Sequence, residues 1–401
     1  MTNDSSNGGK VDIKRREFLA TAALSVAAAM VPPASLAQES RPVPKPEKIR
    51  VGVIGAGNIV RSVHIPGLRR MPGCEVVAVA NRSLESSKRA AAEMAIPRAF
   101  ANWEELLDAD GIDAVLIGTW PYMHRTTTLA ALDRGKHVFC QARMANNAAE
   151  AREMLAASQR HPELICQLAP KRTSYKIDKA LQRLVGERYV GEILSVDVQY
   201  VGHALIGNRD KPDATFADFQ GEFDWRHNPE FSGYNMMDVG GTYESVMRWL
   251  GPGNRIMAIT KVQVPRRRDA DGKWRTATIP DYADVLYELG TGAPVHMKFA
   301  ETTGLSAGDQ IWIYGTDGTI HVDREQKIFV GRRGDKELKE LPNPPEQQYR
   351  HRAEEEFVNA IRGIEKVKLN TFDIGVQYMD FTEAVHRSSA SGKAIYLPLP
   401  S

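Results

Sequence analysis

The stretch VGVIGAGNIV places Gly55 and Gly57 between a run of apolar residues and an amphipathic segment. Glycine at these points lets the backbone turn tightly and approach a pyrophosphate, whose charge is met by the free amides of a helix N-terminus. Val60 stands where a third small residue is usual, which loosens the match. The order of strand, glycines, helix and second strand predicts a dinucleotide site, with Asn58 and Ile59 in the same loop.

The residues after the second predicted strand bear on the kind of dinucleotide. An NAD site usually has an acidic residue there to hold the ribose hydroxyls, whereas this chain has Asn81, Arg82 and Ser83. An acid would repel a 2′-phosphate, while arginine and serine can bind one. The sequence therefore favours NADP, although NAD is possible as well if Arg82 only stacks on the adenine.

Two basic residues follow another predicted strand. Lys171 and Arg172 come after the strand Leu164 to Leu168, at the edge where open α/β sheets place their ligand crevice. A lysine there, desolvated or close to another cation, could have a lowered pKa and act in catalysis; the alternative is an ordinary surface pair. Tyr175 and Tyr243 are further candidates for the substrate site, and both are also good packing residues.

The segment TWPYMH, which begins at Thr119, follows a further predicted strand. Trp120 could form an aromatic platform for a nicotinamide or for the face of a sugar ring, with Tyr122 beside it, and buried packing is an equal alternative. His124 is expected to line the site as a hydrogen-bonding residue that holds the structure, not as the proton carrier.

The elements that would position these residues alternate between short apolar runs and amphipathic stretches of helical period. Alternation of this kind predicts a parallel sheet covered on both faces, an α/β domain of the Rossmann type. The predicted strands are Ile49 to Ile54, Glu75 to Ala80, Ala114 to Gly118, His137 to Cys140 and Leu164 to Leu168. The predicted helices lie around Ser86 to Met94, Thr126 to Asp133 and Ala148 to Ser158.

Beyond about Lys171 the pattern changes to alternating strands joined by turns such as TDG, which predicts an α+β domain with a large, mostly antiparallel open sheet. Trp225 and Arg226 could rim its pocket or cap its sheet. The predicted strands begin near Ile193, Arg255, Ala283, Pro294, Gln310, Thr319 and Lys327. The predicted helices are Tyr175 to Val185, Val239 to Leu250, Arg352 to Arg362 and Asp373 to Ser391, the last with Gly392 as its C-cap.

The first forty residues have a different composition. Arg15 and Arg16 precede an Ala-rich apolar stretch and then small residues up to Ala37, which suits a signal peptidase. The stretch is too short and too Ala-rich for a membrane-spanning helix. We expect a twin-arginine signal in residues 1–37, a Pro-rich linker in 38–47, and domains in 48–170 and 171–401. This predicts export to the periplasm by the twin-arginine machinery without a membrane span after processing; whether the leader is cleaved stays open.

Composition limits the partners. The 401 residues carry 52 basic and 50 acidic side chains, and a net charge of +2 gives no reason to expect nucleic acid. Three cysteines at unrelated spacings predict no disulfide framework, and ten histidines without ligand spacing predict no metal site.

From about Lys48 to its end the chain resembles the family of glucose-fructose oxidoreductase, inositol dehydrogenase and MocA, nicotinamide-dependent oxidoreductases that mostly act on sugars. The matching segments are GVIGAGNI, ANRS, WEELLDADGIDAVLIGT, ALDRGKHVFC, GEILSV, SGYNMMDVGG, GTDGTI and HRSSASGKAIYLPL. The resemblance implies a Rossmann domain followed by an open-sheet domain, a carbohydrate substrate, and a homo-oligomer, either a dimer or a tetramer.

The resemblance breaks at the residues that would carry the chemistry. The family's Glu-Lys-Pro, whose lysine lies between the nicotinamide and the sugar hydroxyl, aligns with Gln141, Ala142 and Arg143. The family's aspartate on a helix of the second domain matches Asp238, but the His or Tyr four residues later aligns with Thr242. Two of the three expected catalytic groups are therefore absent, while Gln141 is still expected beside the cofactor.

Hydride removal from a secondary alcohol needs a base for the hydroxyl proton and a donor beside the developing alkoxide, and Ala142 supplies neither. Arg143 is a poor base but could stabilise an oxyanion, and Lys171 could replace the missing lysine. The leading hypothesis is an exported NAD(P)-dependent sugar oxidoreductase with a tightly bound cofactor. The alternatives are a carbohydrate-binding protein that has lost catalysis, and an NAD-dependent glycosidase-like enzyme that uses transient oxidation.

Overall fold

The computed structural model of the protein describes residues 47–171, 175–201, 223–303 and 306–400. The expected leader, nearly all of the expected linker, Arg172 and the side chain of Tyr175 lie outside these described residues. Within the described ranges, no helix has both the length and the apolar character that crossing a bilayer requires.

Six strands form the first sheet, in the order β3-β2-β1-β4-β5-β6, and every pair is parallel. The central strands β1 and β4 are apolar and buried almost throughout because helices cover both faces, as predicted. The strand order reverses beside β1, which opens a crevice at the carboxyl ends of β1 and β4. The strands are β1 (Ile49–Ile54), β2 (Cys74–Ala80), β3 (Arg98–Phe100), β4 (Ala114–Ile117), β5 (His137–Cys140) and β6 (Cys166–Leu168).

The helices of this half begin at polar caps that the sequence supplies. Asn102 and Asn147 accept hydrogen bonds from backbone amides in the first turns of α3 and α5, and Ser83 does so for α2. Helix α4 starts at Pro121, five residues before the predicted start, because proline suits the first helical position. The helices are α1 (Ile65–Arg69, preceded by the π turn Val60–His64), α2 (Leu84–Met94), α3 (Trp103–Asp108), α4 (Pro121–Asp133) and α5 (Ala148–Arg160).

Nine strands form the second sheet, in the order β16-β15-β14-β13-β7-β12-β11-β8-β17. Only the pairing of β7 with β12 is parallel, so the sheet is mixed and mostly antiparallel, as predicted. Its strands are β7 (Ile193–Val201), β8 (Gly253–Lys261), β11 (Tyr282–Leu289), β12 (Pro294–Ala300), β13 (Gln310–Gly315), β14 (Gly318–Val322), β15 (Ile328–Arg332), β16 (Lys339–Leu341) and β17 (Ile395–Tyr396). Strands β9 (Arg266–Arg268) and β10 (Trp274–Thr276) form a separate hairpin.

Helices cover one face of the second sheet, and its other face exposes apolar side chains such as Met257, Ile259 and Leu286. Helix α10 (Phe372–Ser391) is followed by Gly392, which adopts the left-handed conformation expected of a C-cap. The helices are α6 (Tyr175–Gly186), α7 (Pro229–Ser232), α8 (Val239–Leu250), α9 (Ala353–Ile361) and α10 (Phe372–Ser391).

Helix α9 follows the second sheet in the chain but packs in the core of the first. Phe357 and Val358 are fully buried in the same apolar cluster as the β1 residues, and the Phe357 ring stacks on Phe139 with centroids 5.4 Å apart. The chain therefore returns to the Rossmann sheet after completing the second sheet. The expected boundary near residue 170 separates the two sheets. It assigns α9 to the second domain, although α9 packs in the core of the first sheet.

Candidate functional site

The glycine loop is pressed against the end of β4. Gly55 has a φ of +85°, and a Cβ atom there would lie 2.8 Å from the backbone nitrogen of Thr119. No other residue fits such a close approach in this conformation. The loop is held from the other side because the Ala56 amide donates to Asn81 Oδ1 at 2.8 Å. The backbone at Gly55 to Gly57 is thus fixed at the carboxyl ends of β1, β2 and β4.

A cavity of about 430 Å³ runs along these strand ends. It brings together six of the residues predicted to bind the cofactor, together with the aromatic Tyr122. Trp103, Ser86 and Met123 also line it, although sequence reasoning did not select them. The predicted lining residues are Gly55, Gly57, Asn81, Arg82, Thr119, Trp120 and Tyr122.

The three residues after β2 have different tasks. Asn81 holds the glycine loop, since its Oδ1 accepts from Ala56 and its Nδ2 donates to the Ser86 carbonyl at 3.2 Å. Ser83 caps α2, where its Oγ accepts from the Ser86 amide at 3.2 Å. Arg82 is exposed, and it makes no hydrogen bond or ion pair with any of the described residues. Arg82 is therefore the group at this edge that remains available to a ligand.

Lys171 meets the predicted catalytic residues of the second domain. Its Nζ lies 2.8 Å from Asp238 Oδ2 and donates to Thr242 Oγ1 at 2.8 Å. The lysine backbone is anchored as well, because its amide donates to Glu244 Oε2 at 3.0 Å. The Nζ also lies 4.8 Å from the centre of the Tyr200 ring. The amine is thus fixed by three neighbours while part of the side chain still reaches solvent.

Asp238 occupies the N-cap position of α8, yet its carboxylate makes no capping hydrogen bond. The carboxylate instead meets Lys171 on one side and Arg143 on the other, where Arg143 Nη2 lies 3.3 Å from Oδ1. Burial opposes its ionisation, but the attraction of Lys171 and then of Arg143 outweighs burial and holds the pKa of Asp238 below its usual value. Gly241 leaves the necessary room, since a Cβ there would lie 2.5 Å from Asp238 Oδ1.

Arg143 is also tied to the backbone, because its guanidinium donates to the carbonyl of Met237. The cluster thus joins the loop after β5, the segment after β6 and the start of α8. Three of its four members, Lys171, Asp238 and Arg143, are charged, and two of these are cations. Such a set can hold a substrate oxygen and donate a proton to it.

A cavity of about 210 Å³ adjoins this cluster, between α6, α8 and the second sheet. Tyr200 lines it and was not selected from the sequence. The alternation of β7 could have indicated this residue, because Tyr200 shares a face with the buried Val196 and Val198. The polar lining residues are Lys171, Gln199, Tyr200, Thr242, Ser245, Asp309, Gln310, Asp323, Arg324 and Gln326.

Four aromatic side chains meet beside the first cavity. Trp120 lies 4.8 Å from Phe231 and 6.2 Å from Trp225 between ring centroids, and Tyr122 lies 5.2 Å from Phe231. The rings of Trp120 and Tyr122 remain partly exposed. The structure therefore joins the predicted Trp120, Tyr122 and Trp225 and adds Phe231. Arg226 is placed above Trp225, with its guanidinium carbon 4.4 Å from the ring centroid.

Two of the predicted site residues, Tyr243 and His124, are buried and line neither of the two cavities described above. Tyr243 is 1% exposed, stacks on Phe381 with centroids 3.7 Å apart, and accepts a hydrogen bond from the Gly253 amide at 2.9 Å, so it packs the core and does not line the substrate cavity. His124 is completely buried, and its ring nitrogens contact the carbonyls of Arg143 and Thr119 at 2.8 and 3.0 Å.

His124 therefore acts through the backbone and does not contact a cofactor directly. Burial lowers its pKa and favours the neutral ring, which agrees with a structural hydrogen-bonder. Of the loop residues, Asn58 and Ile59 lie beside the cofactor cavity without being part of its lining.

A Rossmann sheet with a fitted glycine loop, followed by an open mixed sheet whose helix α8 begins beside charged residues from the strand ends, is the architecture of a nicotinamide-dependent oxidoreductase. Residues 49–168 match the model of the Gfo/Idh/MocA oxidoreductase family with its NAD-binding Rossmann fold. Residues 179–321 match the model of the GFO/IDH/MocA C-terminal domain. The chain belongs to the Gfo/Idh/MocA oxidoreductase family.

Relatives support this membership over most of the chain. Trans-1,2-dihydrobenzene-1,2-diol dehydrogenase from Bos taurus is 32% identical over 304 residues, which cover 74% of this chain and 81% of that protein. Inositol 2-dehydrogenase/D-chiro-inositol 3-dehydrogenase from Halalkalibacterium halodurans is 29% identical over 150 residues, 37% of this chain and 43% of that protein. The fold of levoglucosan dehydrogenase, solved with NADH and L-sorbose, is similar with a TM-score of 0.74, at 18% identity, over 88% of this chain and 99% of that chain.

Proposed function

We propose that the protein is an exported, NADP-dependent oxidoreductase that acts on a sugar or sugar derivative. The observation that carries the proposal is the contact of Lys171 Nζ with both Asp238 and Thr242 at 2.8 Å, because it puts an amine at the crevice although Ala142 has none. The names of two relatives, a diol dehydrogenase and an inositol dehydrogenase, support a substrate with neighbouring hydroxyl groups.

Lys171 is the proton carrier in this proposal. In the direction of reduction its ammonium would donate a proton to the carbonyl oxygen, and the chemistry that a bound nicotinamide would supply is hydride transfer. In the direction of oxidation its neutral amine takes the hydroxyl proton. Asp238 and Thr242 hold the amine in place, since each contacts Nζ directly. Arg143 keeps a positive charge beside the oxygen that becomes anionic.

The preference for NADP rests on Arg82. It lies at the end of β2, it lines the cofactor cavity, and none of the three residues from Asn81 to Ser83 is acidic. A 2′-phosphate on the adenosine ribose would find a guanidinium without a competing carboxylate partner among the described residues.

Export and tight cofactor binding belong to the same proposal. The Arg15-Arg16 leader is of the type that carries folded proteins, so the protein would leave the cytoplasm with its cofactor bound. Outside the cytoplasm the cofactor pool is not available. The cofactor would then be reoxidised or reduced again in the same site by a second substrate, as in a redox exchange between two sugars.

A second function, a carbohydrate-binding protein without catalysis, is favoured by Ala142 and by Thr242, which stand where the family has a lysine and a His or Tyr. The contacts of Lys171 with Asp238 and Thr242 oppose it, because a protein that only binds a sugar does not need an amine held in place beside a carboxylate.

The experiment that separates the two begins with the exported protein purified from its native compartment. The protein is denatured and the released nucleotide is identified by mass spectrometry; NADP is the expected result. The loaded protein is then mixed with a panel of sugars while the nicotinamide absorbance is recorded. A change of redox state with a sugar supports the oxidoreductase, and a loaded cofactor that never changes across the panel supports the binding protein.

A further inference from the structure

A chain of three hydrogen-bonding side chains lies behind the loop after β5. His64, at the end of the π turn, has its Nδ1 2.5 Å from Glu354 Oε1, and both side chains are almost completely buried. Glu354 comes from α9, where its other oxygen lies 2.9 Å from His351 Nε2. Helix α9 thus contacts the first helix of the Rossmann half through polar side chains as well as through its apolar face. These contacts connect the π turn that follows the glycine loop to α9, which lies close to the end of the sequence.

These three side chains contact a fourth, Gln141, through His64, and Gln141 is the residue that aligns with the family's glutamate. His64 Nε2 lies 3.3 Å from Gln141 Oε1, and the Ala142 amide donates to the same oxygen at 3.3 Å. Because a backbone amide can only donate, this second contact assigns the oxygen of the Gln141 amide to the inner position. His64 Nε2 is the ring nitrogen that faces this oxygen, and Glu354 holds the ring from the Nδ1 side.

This arrangement places the NH₂ group of the Gln141 amide on the side away from His64. With its oxygen turned towards His64 and Ala142, the Nε2 amide group makes no hydrogen bond to any residue within the described ranges. Gln141 follows β5, whereas Arg82 follows β2 on the other side of β1. A dinucleotide held at β2 by its adenosine and at the glycine loop after β1 by its pyrophosphate would have its nicotinamide half on the β4 and β5 side of the sheet.

We propose that His64 is a positioning residue for the cofactor: held by Glu354, it orients Gln141 so that the amide NH₂ group donates to an acceptor on the nicotinamide half of the dinucleotide. The inference rests on the proposed function, since it requires a bound nicotinamide dinucleotide. A side chain at position 64 that cannot reach Gln141 would let the amide turn and present its oxygen instead.

The same three side chains could be read as ligands of a metal ion, because their ligand atoms lie within 4.8 Å of one another. The separations favour hydrogen bonds. Ligand atoms that share one ion at about 2.1 Å lie roughly 3 Å or more apart, whereas His64 Nδ1 and Glu354 Oε1 are 2.5 Å apart. The nitrogen of His64 that faces Gln141 is also on the far side of the ring from Glu354.

The test compares two ligands on the full exported protein, after any nucleotide that co-purifies has been removed and its absence confirmed by mass spectrometry. NADP⁺ contains the nicotinamide half, and 2′,5′-ADP lacks it but keeps the 2′-phosphate. The variants are His64→Asn, whose amide is too short to reach Gln141, and His64→Gln, which keeps that reach. Gln141→Leu removes the donor itself, and the double variant His64→Asn/Gln141→Leu shows whether His64 acts through Gln141.

The expected result is a loss of about 3- to 10-fold in NADP⁺ affinity for His64→Asn and for Gln141→Leu, equivalent to one hydrogen bond, with 2′,5′-ADP binding unchanged. His64→Gln should lose less, and the double variant should lose no more than either single variant. Unchanged 2′,5′-ADP binding also shows that the variants are folded.

Three results would overturn the inference. Equal weakening of both ligands would give His64 a structural role only, and unchanged NADP⁺ binding in His64→Asn would exclude the coupling. A stoichiometric metal ion in the purified protein, whose removal changes NADP⁺ binding, would make the cluster a metal centre instead. If the unaltered protein binds no nicotinamide dinucleotide at all, the proposed function fails together with this inference, which separates that case from the other three.

Discussion

Lys171 Nζ lies 2.8 Å from Asp238 Oδ2, and this contact joins the segment after the last strand of the first sheet to the first turn of α8. An amine therefore stands beside the aspartate of the second domain even though the loop after β5 carries Ala142. In the proposed function this amine, which comes from another strand end, takes the place of the lysine missing from the Glu-Lys-Pro motif.

Arg143 should affect the pH dependence of turnover through Asp238. Arg143→Met removes one of the cations that hold the pKa of Asp238 below its usual value, so that pKa should rise. Because Asp238 has to be ionised to hold Lys171, the acid limb of kcat/KM should move to higher pH, with turnover at neutral pH lower by about tenfold. The pH profile with an identified substrate measures this.

Arg226→Met is the matched control, since Arg226 is the weakest of the causes that lower the pKa of Asp238. Its acid limb should move less. Coincident profiles for the unaltered protein and Arg143→Met would show that Arg143 does not act on Asp238.

Arg82 should decide between the two nicotinamide dinucleotides. Arg82→Glu replaces a charge-assisted contact to the 2′-phosphate by repulsion, so the affinity for NADP⁺ should fall about 10- to 100-fold while that for NAD⁺ changes little. Arg89→Glu makes the same change of charge on α2, at an exposed position that pairs only weakly with Glu85, and serves as the control. Titration with both cofactors gives the ratio of dissociation constants. An unchanged ratio in Arg82→Glu would leave the 2′-phosphate without its proposed partner.

Tyr243 should matter for stability and not for the reaction. Tyr243→Phe leaves the buried Gly253 amide without its acceptor, which should lower the free energy of unfolding by about 1–3 kcal/mol. Turnover should stay the same, since the ring packs against Phe381 away from the cavity. Tyr287→Phe is a close control, because the buried hydroxyl of Tyr287 has no hydrogen-bond partner among the described residues. Denaturant unfolding and a turnover assay on both variants check this. A loss of turnover in Tyr243→Phe would show that Tyr243 contributes to the reaction.

Glu354 should make the protein sensitive to acid. Burial would raise the pKa of its carboxyl group, but hydrogen bonds from His351 and His64 outweigh burial and lower it to about 2. A lowered pKa contributes stability that is present above the unfolded value of about 4.3 and is lost as the pH falls towards 2. Glu354→Gln should lower the free energy of unfolding by about 1–3 kcal/mol at neutral pH and lose less on acidification.

Glu355→Gln is the control for that measurement, because Glu355 is the next residue and makes only partly exposed ion pairs with Arg350 and Arg352. Its unfolding curves should lie close to those of the unaltered protein. If Glu354→Gln and the unaltered protein lose stability in parallel as the pH falls from about 4.3 to about 2, Glu354 does not carry the acid sensitivity.

The long apolar runs of the first half could be assigned from the sequence because both faces of a parallel strand are buried, which leaves a pattern in the composition itself. Short elements such as β3 and α3 carry too few residues for a period to show, and sequence reasoning missed them. The cap at Gly392 was predictable, because glycine at a helix end has a local conformational cause.

Residues of the candidate site could be selected from the sequence where they follow a strand within two or three positions, as Arg82 and Lys171 do. The site was not predictable where two distant segments meet. His64 and Glu354 are 290 positions apart, and only the return of α9 to the first sheet brings them together. Phe231 joined the aromatic group for the same reason, since α7 packs against α4 through contacts that no local pattern records.

The central claim is that Lys171 replaces the lysine missing at Ala142. The most direct measurement is the rate of hydride transfer between the bound cofactor and an identified sugar in a single turnover, for the unaltered protein, Lys171→Met and the exposed control Lys339→Ala. The claim predicts a fall of about 10²- to 10⁴-fold for Lys171→Met with unchanged cofactor occupancy, and no change for Lys339→Ala. An unchanged rate in Lys171→Met would contradict it and leave the proton transfer to another group.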